Sequence, residues 1–324
     1  MVAVFSAPSF VRADAPAVLN VGIVFDKGGK DDKSFNTAAY KGAMKAKDDF
    51  KVYVKYVEAM DDSAYETSIR AFASAQRDYG LIIAIGVSQM EAITKMAKKF
   101  PMKRFAVVDA PVEVPNVRAL LFKEHEGSYL MGAAAAMASK TGKIGFIGGM
   151  DIPLIRRFEK GYVAGAKSIN PSIQTDTHYI GVTSEAWNNP PKAKELAIEQ
   201  YEDGSDVIFA AAGASNAGVF DAAEEQHKFV IGVDSNQNWV KPGLVLTSMM
   251  KRVDQAVYDT IKDTSQGKFT GGVKYFGLDN QGIDYAADQY NEKILTPVMK
   301  KKLDQLKADI IAGKIIVPDY YKQQ

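Results

Sequence analysis

Short β-branched and apolar runs alternate with longer stretches of helical period from Val18 to the 240s, and this restricts the chain to strands and helices in turn on parallel sheets. The first predicted strands cover 18–26, 52–59, 81–86, 104–110 and 117–122. Between the first two, Phe35, Ala39, Gly42, Ala43, Ala46 and Phe50 recur near 3.6 residues and predict a helix with one apolar face. The rhythm then restarts, with strands predicted at 143–148, 173–180, 206–211 and 229–234. Ile155, Phe158, Tyr162, Val163 and Ala166 mark the apolar face of a helix after the first of these. A strand at 245–249, a helix carrying Val253, Val257 and Ile261, a strand at 273–277 and a last helix at 297–312, closed by Gly313, complete the pattern.

At 324 residues the chain is about twice the usual single-domain length. Two α/β halves in tandem favour two Rossmann-like lobes over one eight-stranded barrel. The elements after 245 need a sheet to join, and a return to the first lobe is the simplest home. The expected lobes are 18–122 plus 249–278 and 123–248 plus 279–324, with several crossings between them that make a hinge and leave a ligand cleft. Residues 1–17 are weakly apolar as far as Val11 and end near Ala13-Asp14-Ala15-Pro16. They read as a signal remnant or a disordered arm, which points to an exported, extracytoplasmic protein.

Lys+Arg 40 against Asp+Glu 39 leaves a net charge of +1, so no global field holds nucleic acid or an anionic membrane. The chain has no cysteine, which removes disulfides, thiolate zinc sites and cysteine nucleophiles, and no lipid anchor can be read from it. His occurs only at 125, 178 and 227, without HExxH or a helical His pair, so neither a metal nor a cofactor is implied. A monomer is expected.

In open α/β sheets ligands bind outside the carboxyl ends of the strands, and those ends are polar here. They include Asp26-Lys27-Gly28-Gly29-Lys30, Asp109, Gly213-Ala214-Ser215-Asn216 and Asp234-Ser235-Asn236-Gln237. Gly28-Gly29-Lys30 lacks phosphate-loop spacing. Gly86-Val87-Ser88 and Gly213-Ala214-Ser215 begin like a nucleophile elbow but lack its last glycine and have no His placed as base, so the chain is read as a non-enzyme. Asp26, Asp109 and Asp234 are each open to reading as helix N-caps, or together as acceptors for ligand hydroxyls. Phe35 is either an ordinary staple at a helix mouth or a cleft aromatic, and Phe209 either core or its stacking partner.

Asn20-Val-Gly-Ile-Val-Phe-Asp26, Asp32-Lys-Ser-Phe-Asn36 and Tyr40-Lys-Gly42 resemble the opening of the basic membrane protein family of bacterial substrate-binding proteins, best known for purine-nucleoside receptors of ABC importers. Glu124-His-Glu-Gly-Ser-Tyr-Leu-Met-Gly-Ala133, Gly145-Phe-Ile-Gly-Gly149, Val207-Ile-Phe-Ala-Ala-Ala-Gly213, Ile231-Gly-Val-Asp-Ser235, Thr247-Ser-Met-Met-Lys-Arg252 and Ile311-Ala-Gly-Lys-Ile-Ile-Val-Pro318 continue the match in order. The resemblance implies a type I periplasmic-binding-protein fold with a nucleoside of the adenosine, guanosine or inosine class closed between the lobes for delivery to an ABC permease. It implies Phe35 and Phe209 on the base, Asn36 and Asp109 at its polar edge, and Asp26, Asp234 and Lys251 around base and ribose; Lys251 so placed reads either as a solvated helix-start residue or as the cation that keeps nearby carboxylates ionised. Asn236 stands where relatives often carry an acid, and Trp187 replaces a usually smaller residue near the cleft. The rival readings are a sugar or autoinducer receptor of the same fold and a cytoplasmic ligand-sensing regulator; no helix-turn-helix pattern precedes Val18, which counts against the regulator.

Overall fold

The computed structural model describes residues 18–322, and the signal remnant or arm expected at 1–17 lies outside the described residues. The first half runs β1 (Asn20–Phe25), α1 (Phe35–Phe50), β2 (Tyr53–Glu58), α2 (Ser63–Ala73), β3 (Tyr79–Ile85), α3 (Met90–Lys99), β4 (Phe105–Val108) and β5 (Val117–Phe122). The second runs α4 (Glu124–Ala138), β6 (Lys143–Met150), α5 (Pro153–Ile169), β7 (Gln174–Gly181), α6 (Pro190–Glu202), β8 (Val207–Ala211), α7 (Asn216–Glu225), β9 (Phe229–Asp234) and β10 (Val245–Lys251). After these come α8 (Val253–Ser265), β11 (Gly272–Phe276), β12 (Ile283–Tyr285) and α9 (Pro297–Ile311).

The strands form two sheets, ordered β11-β5-β4-β3-β1-β2 and β12-β10-β9-β8-β6-β7. Among the described residues every pairing is parallel except that of β12 with β10. Position by position, β1 to β5 correspond to β6 to β10, so the second half repeats the winding of the first. Central strands such as β3 and β8 are buried almost throughout, as expected where helices cover both faces of a parallel sheet. The edge strands β2 and β11 are largely half-buried or exposed, which is why their sequences mix lysine and tyrosine with valine. The uncharged stretch after Gly127 becomes α4, an Ala-rich helix buried over most of its length and packed on α5.

One expectation is corrected. The strand predicted at 245–249 does not return to the first lobe; it extends to Lys251 as β10 and pairs with β9 from Val245 to Met250. The boundary expected at 248/249 therefore falls inside a strand. Each half of this repeat needs five parallel strands, and the four counted in the second half left its sheet one short. The chain crosses between lobes after Phe122, after Lys251 and after Phe276, with α8 packed on α1 of the first lobe.

Candidate functional site

Residues at or just past the ends of β1, β3 and β4 in one lobe and of β8, β9 and β10 in the other line one cavity. β1 leads into Asp26, a buried carboxylate that accepts hydrogen bonds from the Tyr65 hydroxyl and, at 2.8 Å, from the backbone N–H of Lys27. Gly86 makes room for it: the backbone there has φ 114°, and a Cβ would lie 2.1 Å from Asp26 Oδ2.

Asp109 and Asp234 occupy corresponding ends, after β4 and at the close of β9. Both adopt left-handed backbone, with φ 68° and 64°, a conformation that Asp tolerates better than most side chains. Each carboxylate is met from the opposite lobe. Ser34 Oγ donates to Asp234 Oδ2 at 2.5 Å, and Lys251 Nζ donates to Asp109 Oδ2 at 2.6 Å. Lys251 Nζ also lies 3.1 Å from Glu124 Oε1 and 5.0–5.6 Å from the ring centres of Phe35, Phe122 and Phe158, so carboxylates and π-faces surround the ammonium.

Burial pushes the carboxyls of Asp26 and Asp234 up to about 6, against hydrogen bonds and, for Asp234, the Lys251 charge, which pull them down. It carries Asp109 to about 7, where Lys251 opposes the rise and Glu124 adds to it. Burial alone would pull Lys251 down, but Asp109, Glu124 and Asp234 outweigh it and hold the ammonium charged.

Between β1 and α1, Asp32 accepts from the backbone N–H groups of Ser34, Asn36 and Thr37 at 2.8–2.9 Å, which ties down the start of α1 and sets Phe35 at the cleft. Phe158 on α5 and Trp187, after β7, supply aromatic surface from the second lobe. The Trp187 ring lies where a side chain on residue 149 would stand: a Cβ on Gly149 would come within 2.2 Å of it. A Lys27–Glu185 ion pair and hydrogen bonds from Gln237 Nε2 to the Lys33 carbonyl (3.0 Å) and from Ser235 Oγ to the Ser34 carbonyl (3.1 Å) join the lobes around the cleft. The lining offers flat aromatic faces, carboxylate acceptors and a fixed ammonium donor, equipment for holding a planar, polar-edged molecule.

A family model described as ABC transporter substrate-binding protein PnrA-like matches residues 19–320. The chain belongs to this family of basic membrane proteins. It is 37% identical over 321 residues to the ABC transporter nucleoside-binding protein BmpA of Lactococcus lactis, an alignment spanning 93% of this chain and 89% of that protein. It is 33% identical over 307 residues to basic membrane protein A of Borreliella burgdorferi, spanning 92% and 87%. A solute-binding protein of an ABC transporter system from Aeropyrum pernix superposes with a TM-score of 0.85 at 28% identity, covering 93% of this chain and 94% of that one. The architecture is the two-lobed type I periplasmic-binding-protein fold. The family consists of substrate-binding proteins of ABC transporters, not of enzymes, and such proteins of importers work outside the cytoplasm. Among the described residues no helix is long and apolar enough to cross a membrane.

Of the residues that the family resemblance singled out, Asp26, Phe35, Asn36, Asp109, Asp234 and Lys251 all line the cavity. Phe209 does not. It is 0% exposed inside the second lobe, 5.7 Å from the ring of Phe146 and 5.4 Å from that of Tyr162. It lies two residues short of Ala211, where β8 reaches the cleft, and Phe158 stands 6.5 Å from it on the cleft side. Asn36 turns its amide inward, accepting from the Asp26 N–H at 3.2 Å and donating to the Lys27 carbonyl at 3.3 Å, so it shapes the loop. Lys251 is no solvated helix start; it closes β10 and is 2% exposed. Asn236 lies outside the lining and donates to Asp288 at 2.6 Å. Sequence reasoning missed Leu154, Ile155 and Phe158 as cleft residues, although the last two were visible as an apolar helix face. The available signal was Pro153, which starts α5 just past the end of β6 and so sets its first turns beside the strand ends.

Proposed function

We propose that this substrate-binding protein captures a nucleoside, of the purine class, unchanged in the interlobe cleft and delivers it to an ABC permease from the extracytoplasmic side. The observation that carries this reading is the pairing of aromatic surface from both lobes, Phe35 with Phe158 and Trp187, with a rim of buried carboxylates, Asp26, Asp109 and Asp234. Aromatic faces suit a base, and carboxylates suit its N–H edge and the ribose hydroxyls. The same carboxylates disfavour a phosphate, which would bring more negative charge into a site with little water. The Lactococcus lactis relative, named a nucleoside-binding protein, supports the ligand class.

Mass spectrometry of the small molecules released when purified protein is denatured tests the reading. A purine nucleoside in near-stoichiometric amount supports it. A sugar, or a phosphorylated ligand, contradicts it.

A further inference from the structure

Glu124 is the first residue of α4, just past the first crossing between the lobes, and is 1% exposed. Its Oε1 lies 3.1 Å from Lys251 Nζ, while its Oε2 accepts from Arg157 Nη1 at 2.8 Å. Arg157, on α5, turns its other edge to Asp319: Nε and Nη2 donate to the two carboxylate oxygens at 2.8 and 2.9 Å. Asp109, Lys251, Glu124, Arg157 and Asp319 thus form one row of alternating charge, and none of the five is more than 8% exposed. Only the first two members line the ligand cleft. The row ends outside it, on the segment after α9.

We infer that Glu124, Arg157 and Asp319 are positioning residues of the ligand cleft: their ion pairs fix the Lys251 ammonium and divide its charge between Glu124 and Asp109. This rests on the nucleoside reading of the cleft, whose polar edge Asp109 and Lys251 supply. An ammonium has three donors and no preferred plane, so in a buried site its direction is set by the acceptors around it. Glu124 takes one share of the charge. Arg157, itself clamped by Asp319, decides how strongly Glu124 leans on Lys251. Other charged or titratable groups face the row as well. Asp234 faces Lys251 from β9, Asp32 faces Asp234, His125 lies 3.9 Å from Asp319, and Tyr321 senses Glu124 and Asp109. Those groups stay in place when Glu124 or Asp319 is replaced by its amide.

Carbon-13 NMR of the side-chain carboxyls in ligand-free protein reads the effect at Asp109, with Asp109→Asn assigning the signal. Glu124→Gln removes the competing acid and is expected to lower the Asp109 titration midpoint by about one pH unit. Asp319→Asn, at the far end of the row, frees Arg157 for Glu124 and is expected to shift the midpoint the same way by less; it also carries the test if Glu124→Gln fails to fold. A merely structural role would lower the melting temperature and leave the midpoint at its wild-type value; that result, or a midpoint moved upward, overturns the inference. Calorimetry of the wild-type protein with inosine, guanosine and adenosine separates the two readings. Nucleoside binding with an unmoved midpoint overturns the positioning row alone, whereas a moved midpoint without nucleoside binding supports the row and contradicts the proposed ligand.

Discussion

Ser34 and Asp234, 200 positions apart, meet across the cleft, where the serine hydroxyl donates to the aspartate at 2.5 Å and both side chains are buried. The bond exists only while the lobes are together, so it favours the closed form. A hydrogen bond to a charged group contributes about 1.5–3 kcal/mol. Ser34→Ala should therefore weaken ligand binding by about tenfold or more and leave a larger radius of gyration at saturating nucleoside. Small-angle scattering beside calorimetry checks this, and unchanged values of both would show that the contact is incidental.

The aromatic residues divide by position. Phe35 lines the cleft, so Phe35→Ala should cost roughly 1–3 kcal/mol of nucleoside binding with little change in the ligand-free melting temperature. Phe209 is core, and Phe209→Ala should destabilise the protein by about 3–5 kcal/mol whether or not ligand is present. Trp187→Ala should behave like Phe35→Ala. Thermal melts of ligand-free variants decide: an equal, large fall for Phe35 and Phe209 would place both in the core.

The division shows what the sequence could carry. The βα rhythm made the strand ends legible, and Asp26, Asp109 and Asp234, which line the cavity, stood out because ligands of such sheets bind at strand ends. The depth of a side chain along its strand was not legible. Phe209 and Ala211 share a face of β8, yet only the second stands high enough to reach the cavity. Lys251 was singled out by family resemblance, but its partners were hidden. Asp109 lies 142 residues away, and no local pattern joins Glu124 to Arg157 or Arg157 to Asp319. Long-range ion pairs leave no periodic trace in a single chain.

Lys251→Met should be damaging twice over. It removes the cation from Asp109 and Glu124, both buried, and breaking a buried pair on one side costs about 3–5 kcal/mol. It also removes a donor from the cleft. Lower stability in chemical denaturation together with weaker nucleoside binding is the expected result; wild-type affinity would take Lys251 out of the site.

Asp26 gives a pH signature with a defined sign. Its carboxyl is raised to about 6 by burial, above the unfolded value of about 3.9. Between these values the folded state binds more protons than the unfolded one, so the contribution of Asp26 to stability falls as pH rises through about 4 to 6 and is level above. Asp26→Asn can still accept from Tyr65 and Lys27 without carrying the charge. The variant should gain stability over wild type, by roughly 2–3 kcal/mol at most, at pH 8 and little at pH 4. Melting temperature against pH for the two proteins measures the gap. Parallel curves would contradict the raised carboxyl.

Calorimetry of the wild-type protein with inosine, guanosine and adenosine, each beside its 5′-monophosphate, tests the nucleoside reading most directly. The predicted result is one site per chain for at least one nucleoside, far weaker binding of its monophosphate, and no free base after prolonged incubation. Tighter binding of the monophosphate, release of base, or no heat with any nucleoside would contradict the account.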